Sequence, residues 1–254
     1  MFRFSILSSG SKGNCIYIES LEASILIDAG LSQKELVARL HRIQRKPEGL
    51  HAVFLTHGHS DHVKGVGPLV RKYGLPVYCT EGTHEETARH RIADRRVLKP
   101  SAKVAIGDLT VEAYPTPHDA AEPVAFIVHQ GKRKLAQATD LGTVTPLVRE
   151  KLLYADALLL EANHDVEMLD AGAYPWPLKQ RIKSDLGHLS NDACADLLSS
   201  VNHEGLQTVV LMHLSENNNH PEIASLTVRQ ALKNRSTKMI LARQDRPTEL
   251  LAVR

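Results

Sequence analysis

Thr56-His57-Gly58-His59-Ser60-Asp61-His62 follows directly on the apolar run Ala52 to Thr56, which predicts a short buried strand, and precedes Val63 to Tyr73, a helical pattern closed by Gly74. Three imidazoles and a carboxylate in so short a stretch can converge on metal, because nitrogen and oxygen donors suit zinc, manganese or iron. A strand-to-helix turn aims residues two apart the same way, and Gly58 with the small Ser60 lets that turn fold tightly. A lone histidine is more often a core or surface residue. Four donors in the pattern HxHxDH read as a metal motif.

One cluster cannot fill two coordination spheres, so ligand-type residues should recur at other strand ends. They do. His118 follows the predicted strand Leu109 to Pro115, Asp140 follows Lys134 to Ala138, and His213 follows Gln207 to Met212. Outward from these points the remaining pattern is strand-rich: Phe2 to Leu7, Cys15 to Glu19, Ser24 to Asp28, Pro76 to Cys79, Val124 to His129 and Ala157 to Leu160. Helices are predicted at Gln33 to Leu40, where Ser32 and Glu35 form a capping box, at Thr145 to Tyr154, and at Asn191 to Val201. Two similar rounds of strands and helices predict an α/β fold, an αββα four-layer sandwich with two mixed β-sheets face to face and helices outside.

Composition is that of an ordinary soluble globular protein. The 254 residues carry 31 Lys+Arg against 29 Asp+Glu, a net charge of +2, and 43% hydrophobic residues, which excludes a disordered or collagen-like chain. One domain over 1–254 is expected. The charge is too small to imply a polyanion partner by itself. Cys15, Cys79 and Cys194 are far apart, which argues against a disulfide scaffold or a thiolate zinc site. Phe2 to Leu7 is too short for a signal peptide and no apolar run approaches the ~18 residues of a membrane span, so a cytoplasmic location without membrane association is expected. Fourteen histidines against 4% aromatics single out imidazole chemistry.

The order HxHxDH, His118, Asp140, His213 resembles the metallo-β-lactamase superfamily. That resemblance implies two divalent metals, with His57, His59 and His118 on one, Asp61, His62 and His213 on the other, and Asp140 bridging. Aspartate at the bridging position is similar to the hydrolase and nuclease branches. Two such metals ~3.5–4 Å apart turn a shared water into hydroxide near neutral pH and polarise an attacked phosphoryl or carbonyl oxygen. Leu158-Leu159-Leu160-Glu161-Ala162 and Gly187-His188-Leu189-Ser190 resemble the motifs of tRNA 3′-processing endonucleases, in which a Glu orients a His that protonates the leaving group.

A finer resemblance spans Phe2 to about Asn219. Ser9-Gly10-Ser11-Lys12-Gly13-Asn14, His118 to Pro123, Glu161 to Leu169, Tyr174-Pro175-Trp176 and Ser184 to Asn191 are similar to the YycJ/WalJ-type metallo-hydrolases. The resemblance implies a cytoplasmic 5′-to-3′ DNA exonuclease, with a role in mismatch repair and no separate cap domain. Catalysis then rests on His188, Glu161 and Asp61, with zinc or manganese as metal. Other substrates of the same site are RNA, a cyclic nucleotide or a thioester, and the non-enzymatic alternative is a regulatory accessory of a signalling system.

Several residues keep two readings. Asn163 and His164 are candidate substrate-binding residues or supports for the metal ligands, against a turn in which Asn163 bonds its own backbone. Asp119 is a candidate orienter of His118. Ser8 to Asn14 reads as an anion cradle or a plain tight turn. Lys179, Arg181 and Lys183 near Trp176 read as a DNA grip or a solvated face. His41, His51, His84, His90, His129, His203 and His220 are left structural.

Overall fold

The computed structural model describes residues 1–234 and 236–254. In chain order its first elements are β1 Arg3–Ser8, β2 Cys15–Glu19, β3 Ser24–Ile27, α1 Gln33–Arg42, β4 Ala52–Phe54, α2 Ser60–Val63, α3 Val66–Tyr73 and β5 Val77–Cys79. There follow α4 Glu81–Thr87, β6 Arg95–Val97, β7 Lys103–Ile106, β8 Leu109–Pro115, β9 Val124–Gln130, β10 Arg133–Ala138, α5 Pro146–Leu152 and β11 Ala157–Glu161. The last are α6 Val166–Ala171, α7 Trp176–Lys183, α8 Asn191–Val201, β12 Thr208–Met212, α9 Pro221–Arg229, β13 Lys238–Leu241 and β14 Leu251–Ala252. The strands form two seven-stranded mixed sheets, ordered β14-β1-β2-β3-β4-β5-β6 and β13-β12-β11-β10-β9-β8-β7. This is the expected class of two mixed sheets with helices.

Two compact units arise from these elements, and neither is continuous in sequence. The first comprises Met1–Pro115, Ala120–Arg133 and Arg243–Arg254. In it β1, β2 and β3 pair antiparallel, whereas β3, β4, β5 and β6 run parallel. One face of this sheet buries Leu26, Val53 and Val77 against Leu36 and Leu40 of α1 and Leu69 and Val70 of α3. On the other face Phe54 of β4 meets Phe126 of β9 edge-on at 5.5 Å and stacks on Tyr78 at 4.7 Å. Within this unit the sheets therefore do pack face to face.

The second unit comprises Thr116–Asp119 and Lys134–Ala242. Its strands β10 to β13 are all parallel, and β11 and β12 are buried along their whole length, as strands covered on both faces must be. Helix α8, N-capped by Ser190 through Ala193 N, turns Cys194, Leu197, Leu198 and Val201 inward.

The helix expected over Val63 to Tyr73 is two helices. Gly65 interrupts it, donating its N–H to Ala29 O at 2.8 Å, and a Cβ there would meet Leu31 O at 2.0 Å. The break draws Asp61 and His62 into the single turn of α2. Gly74 closes α3 with φ +64, as read from sequence.

Candidate active site

In the first unit β4 ends at Phe54 and the chain turns through Leu55 to His59, the extended residue that precedes α2. His57 and His62 are buried, and His59 and Asp61 are half-buried. The His57 ring lies 4.1 Å from that of His62 and 4.6 Å from that of His59, centre to centre. His62 is oriented by Asp28, a buried residue at the end of β3 whose Oδ2 lies 2.8 Å from Nδ1. Asp28 also accepts from Thr56 N and Thr56 Oγ1, both at 2.9 Å. Burial pushes the Asp28 carboxyl up in pKa, against the opposing pull of His62. Because a carboxylate accepts, Nδ1 of His62 carries the hydrogen and Nε2 keeps the lone pair.

Asn14 braces the same turn. Its Nδ2 lies 3.1 Å from Asp61 Oδ2, 3.0 Å from His62 Nε2 and 3.1 Å from Gly10 O, while Asn14 Oδ1 accepts from Gly10 N. Glu86 accepts from Gly58 N and Ala121 N, each at 3.1 Å, and a Cβ on Gly58 would come within 2.3 Å of Glu86 Oε2. The glycine loop is a turn, not an anion cradle. The N–H groups of Ser9, Gly10, Lys12, Gly13 and Asn14 already donate to Arg243 O, Asn14 Oδ1, Gln244 Oε1, Gly10 O and Asp61 O.

Glu161, fully buried at the end of β11, organises the second unit. Its Oε1 accepts from His188 Nδ1 at 2.7 Å and lies 3.0 Å from His213 Nδ1; its Oε2 accepts from Leu141 N at 2.9 Å and Leu189 N at 3.3 Å. Burial raises the Glu161 pKa, but the charges and hydrogen bonds of His188 and His213 outweigh it and hold the carboxyl well below the usual range. The ionised carboxylate thus fixes two imidazoles at once. Asp140 Oδ1 stands 3.6 Å from His213 Nδ1 and 3.9 Å from His188 Nδ1. Asp140 and His213 take left-handed backbone, φ +56 and +57, which non-glycine residues adopt sparingly and mostly where surrounding structure enforces it.

His118 is oriented by the Gly187 carbonyl, 3.1 Å from Nδ1. Asp119 does not do this work; it is exposed and accepts from Arg181 Nε at 2.7 Å. The proposed basic grip is likewise engaged elsewhere. Lys179 is buried with Nζ on Asp170 O, and Lys183 pairs with the Asp170 carboxylate. Asn163 turns Nδ2 to His213 O at 2.9 Å rather than to its own backbone. His164 is buried and bridges to Ser190; burial lowers its pKa to about 4, so it is neutral near pH 7. Of the histidines left structural, His51, His203 and His220 accept from Ser24 N, Gly205 N and Glu222 N.

The Beta-lactamase superfamily domain model matches residues 23–214. Exodeoxyribonuclease WalJ of Streptococcus pneumoniae is 39% identical over 233 residues, spanning 89% of this chain and 87% of that protein. Exodeoxyribonuclease YycJ of Bacillus anthracis is 40% identical over 237 residues, spanning 91% and 89%. The chain belongs to the WalJ/YycJ-type metallo-β-lactamase family. Among solved structures, the metallo-β-lactamase fold protein YhfI of Bacillus subtilis shares this family fold with a TM-score of 0.76 at 16% identity, covering 98% of this chain and 100% of that one.

The metallo-β-lactamase chain offers donor sets suited to metal ions. In the second unit Asp140, Glu161, His188 and His213 place ligand-type atoms within 4.8 Å of one another. Both Glu161 oxygens meet N–H donors, the arrangement of a carboxylate that orients neighbouring imidazoles. Asp28, Asn14 and Glu86 support the donors of the first unit and Gly187 the imidazole of His118 in the second, roles that the sequence reading did not give them. A signal existed for Asp28, which stands at a strand end just as Asp140 and His213 do. Among the described residues no helix is long and apolar enough to cross a membrane.

Proposed function

We propose that this chain is a divalent-metal-dependent 5′-to-3′ exodeoxyribonuclease of the cytoplasm, acting in DNA repair, as a single domain without a cap. The observation that carries the reading is the bond from His188 Nδ1 to the buried Glu161 carboxylate at 2.7 Å, in a chain 39–40% identical to exodeoxyribonucleases over nearly its whole length. Glu161 fixes Nδ1, so a half-buried His188 presents Nε2 to a substrate. From there it protonates the leaving oxygen of a phosphodiester, a poor leaving group without that proton.

The motif assigns His57, His59 and His118 to one metal, Asp61, His62 and His213 to the other, and Asp140 to both; N/O sites of this kind take zinc or manganese. A divalent metal held by these residues would supply Lewis-acid polarisation of a phosphoryl oxygen and activation of water. Asp28 and Glu161 keep His62 and His213 in the tautomer that presents Nε2. His164, buried and bridged to Ser190, backs the loop that carries His188.

A panel of 5′-labelled single- and double-stranded DNA and RNA, run with zinc and with manganese and with product ends mapped, tests the proposal. Mononucleotides released from DNA 5′ ends are expected, with Asp61→Ala and Asp140→Asn inactive. Preferential cleavage of RNA moves the assignment to a ribonuclease. Metal-loaded protein that leaves every nucleic acid intact sinks it.

A further inference from the structure

Asparagine side chains gather behind His213. Asn163 Nδ2 donates to the His213 carbonyl at 2.9 Å, and Asn163 O accepts from Ser215 N at 2.8 Å, so the loop after β12 is gripped on both sides of Leu214. Asn219, itself buried, turns Nδ2 to the carbonyls of Ala162 at 2.9 Å and Asn163 at 3.0 Å. It also exchanges two bonds of 2.9 Å with Asn191, Nδ2 to Oδ1 in each direction. Asn191 opens α8, shortly after His188, and its N–H donates to His164 O at 2.9 Å. A continuous chain of amides therefore links the His213 loop, the end of β11 and the segment carrying His188.

Resting on the metal reading above, we infer that Asn163 and Asn219 are positioning residues, which hold His213 as a metal ligand in register with His188 and do not meet substrate. His213 needs such a hold because its backbone is left-handed, φ +57, and persists only if its surroundings over-determine it. Glu161 holds the ring and Asn163 the carbonyl, both from the end of one strand. An amide suits this place. It donates to carbonyls while adding no charge beside Glu161 and Asp140, whereas a carboxylate would repel the same carbonyls.

Asn163→Ala and Asn219→Asp, compared with wild type, test the assignment. Zinc affinity is measured by chelator competition, site geometry by the visible absorption of the cobalt(II) form, and kcat and KM on a 5′-phosphorylated duplex. One metal is expected to bind roughly 10–100-fold more weakly, with altered cobalt bands and a lower kcat at unchanged KM. Asn163→Ser, which keeps a donor at shorter reach, is expected to recover part of the affinity and serves if the alanine variant does not fold. Wild-type metal affinity and cobalt spectrum in the folded variants overturn the inference, whether KM rises, as for a substrate contact, or stays put. Wild-type protein that takes up no metal fails at an earlier point, overturning the metal reading itself.

Discussion

Oε1 of Glu161 lies 2.7 Å from Nδ1 of His188, and the same oxygen stands 3.0 Å from Nδ1 of His213. One buried carboxylate thus serves a proposed proton donor and a proposed metal ligand. Their removal should have unequal consequences. His188→Ala is expected to slow cleavage about 10²–10⁴-fold with metal content unchanged. Glu161→Gln should do that and also weaken metal binding, and it should cost about 1–3 kcal/mol of stability because an amide N–H replaces an acceptor that buried N–H donors need. Single-turnover rates, metal analysis and denaturant unfolding distinguish the two. Equal effects of both variants on metal content would refute the shared role of Glu161.

Asp28 should behave like a distant part of the same machinery. Asp28→Asn keeps the shape but leaves one acceptor oxygen where two serve, so either Thr56 N, now on Oδ1, or His62 Nδ1, now on Oδ2, faces an amide N–H. The expected outcome is a stability loss of about 1–3 kcal/mol from the unsatisfied buried group. A roughly 10–100-fold weaker metal affinity should accompany it. Calorimetric titration with zinc checks the second, and an unchanged affinity would mean that Asp28 supports the fold alone.

The difference between what sequence showed and what it hid follows from how each residue acts. His57, His59, Asp61 and His62 are legible because neighbours in sequence share one turn; His118, Asp140 and His213 are legible because each ends an apolar run. Asp28 reaches His62 across a separation of 34 residues, and Gly187 reaches His118 across 69, so only tertiary structure reveals them. The buried strands were readable from apolar runs. The edge strand β6, exposed throughout as Arg95-Arg96-Val97, was not, because pairing rather than burial defines it. Lys179, Arg181 and Lys183, which read from sequence as a DNA grip or a solvated face, are engaged by Asp170 and Asp119, partners that only tertiary structure places.

Gly142 offers a test of how tightly the His188 loop is held. A Cβ there would come within 2.2 Å of the Asp185 backbone and 2.4 Å of Gly187 N. Those contacts are with main chain, so the segment leading to His188 must move, and with it the Gly187 carbonyl that orients His118. Gly142→Ala is expected to cost about 1–3 kcal/mol through overpacking. It should lower kcat more than tenfold while the far-ultraviolet circular dichroism stays native. Full activity with reduced thermal stability would show that the loop tolerates displacement.

A pH-dependent part of stability should come from Glu19, well away from these ligands. Glu19 is buried on β2 and accepts from Arg45 Nε at 2.5 Å, Arg3 Nε at 2.7 Å and Tyr17 Oη at 2.8 Å. Burial by itself would raise its pKa, but the hydrogen bonds of Arg45 and Tyr17 and the charges of Arg45 and Arg3 together bring it below its ordinary value. A carboxylate whose pKa is lower folded than unfolded stabilises the fold fully above the unfolded value of about 4.3, and that contribution fades as pH falls through the folded value. Glu19→Gln should therefore differ most from wild type near neutral pH, and the gap between their melting temperatures should close below about pH 4. Thermal unfolding of both proteins from pH 7 downward measures it. A gap that stays constant across the range would mean that Glu19 contributes by packing, because packing has no proton to lose.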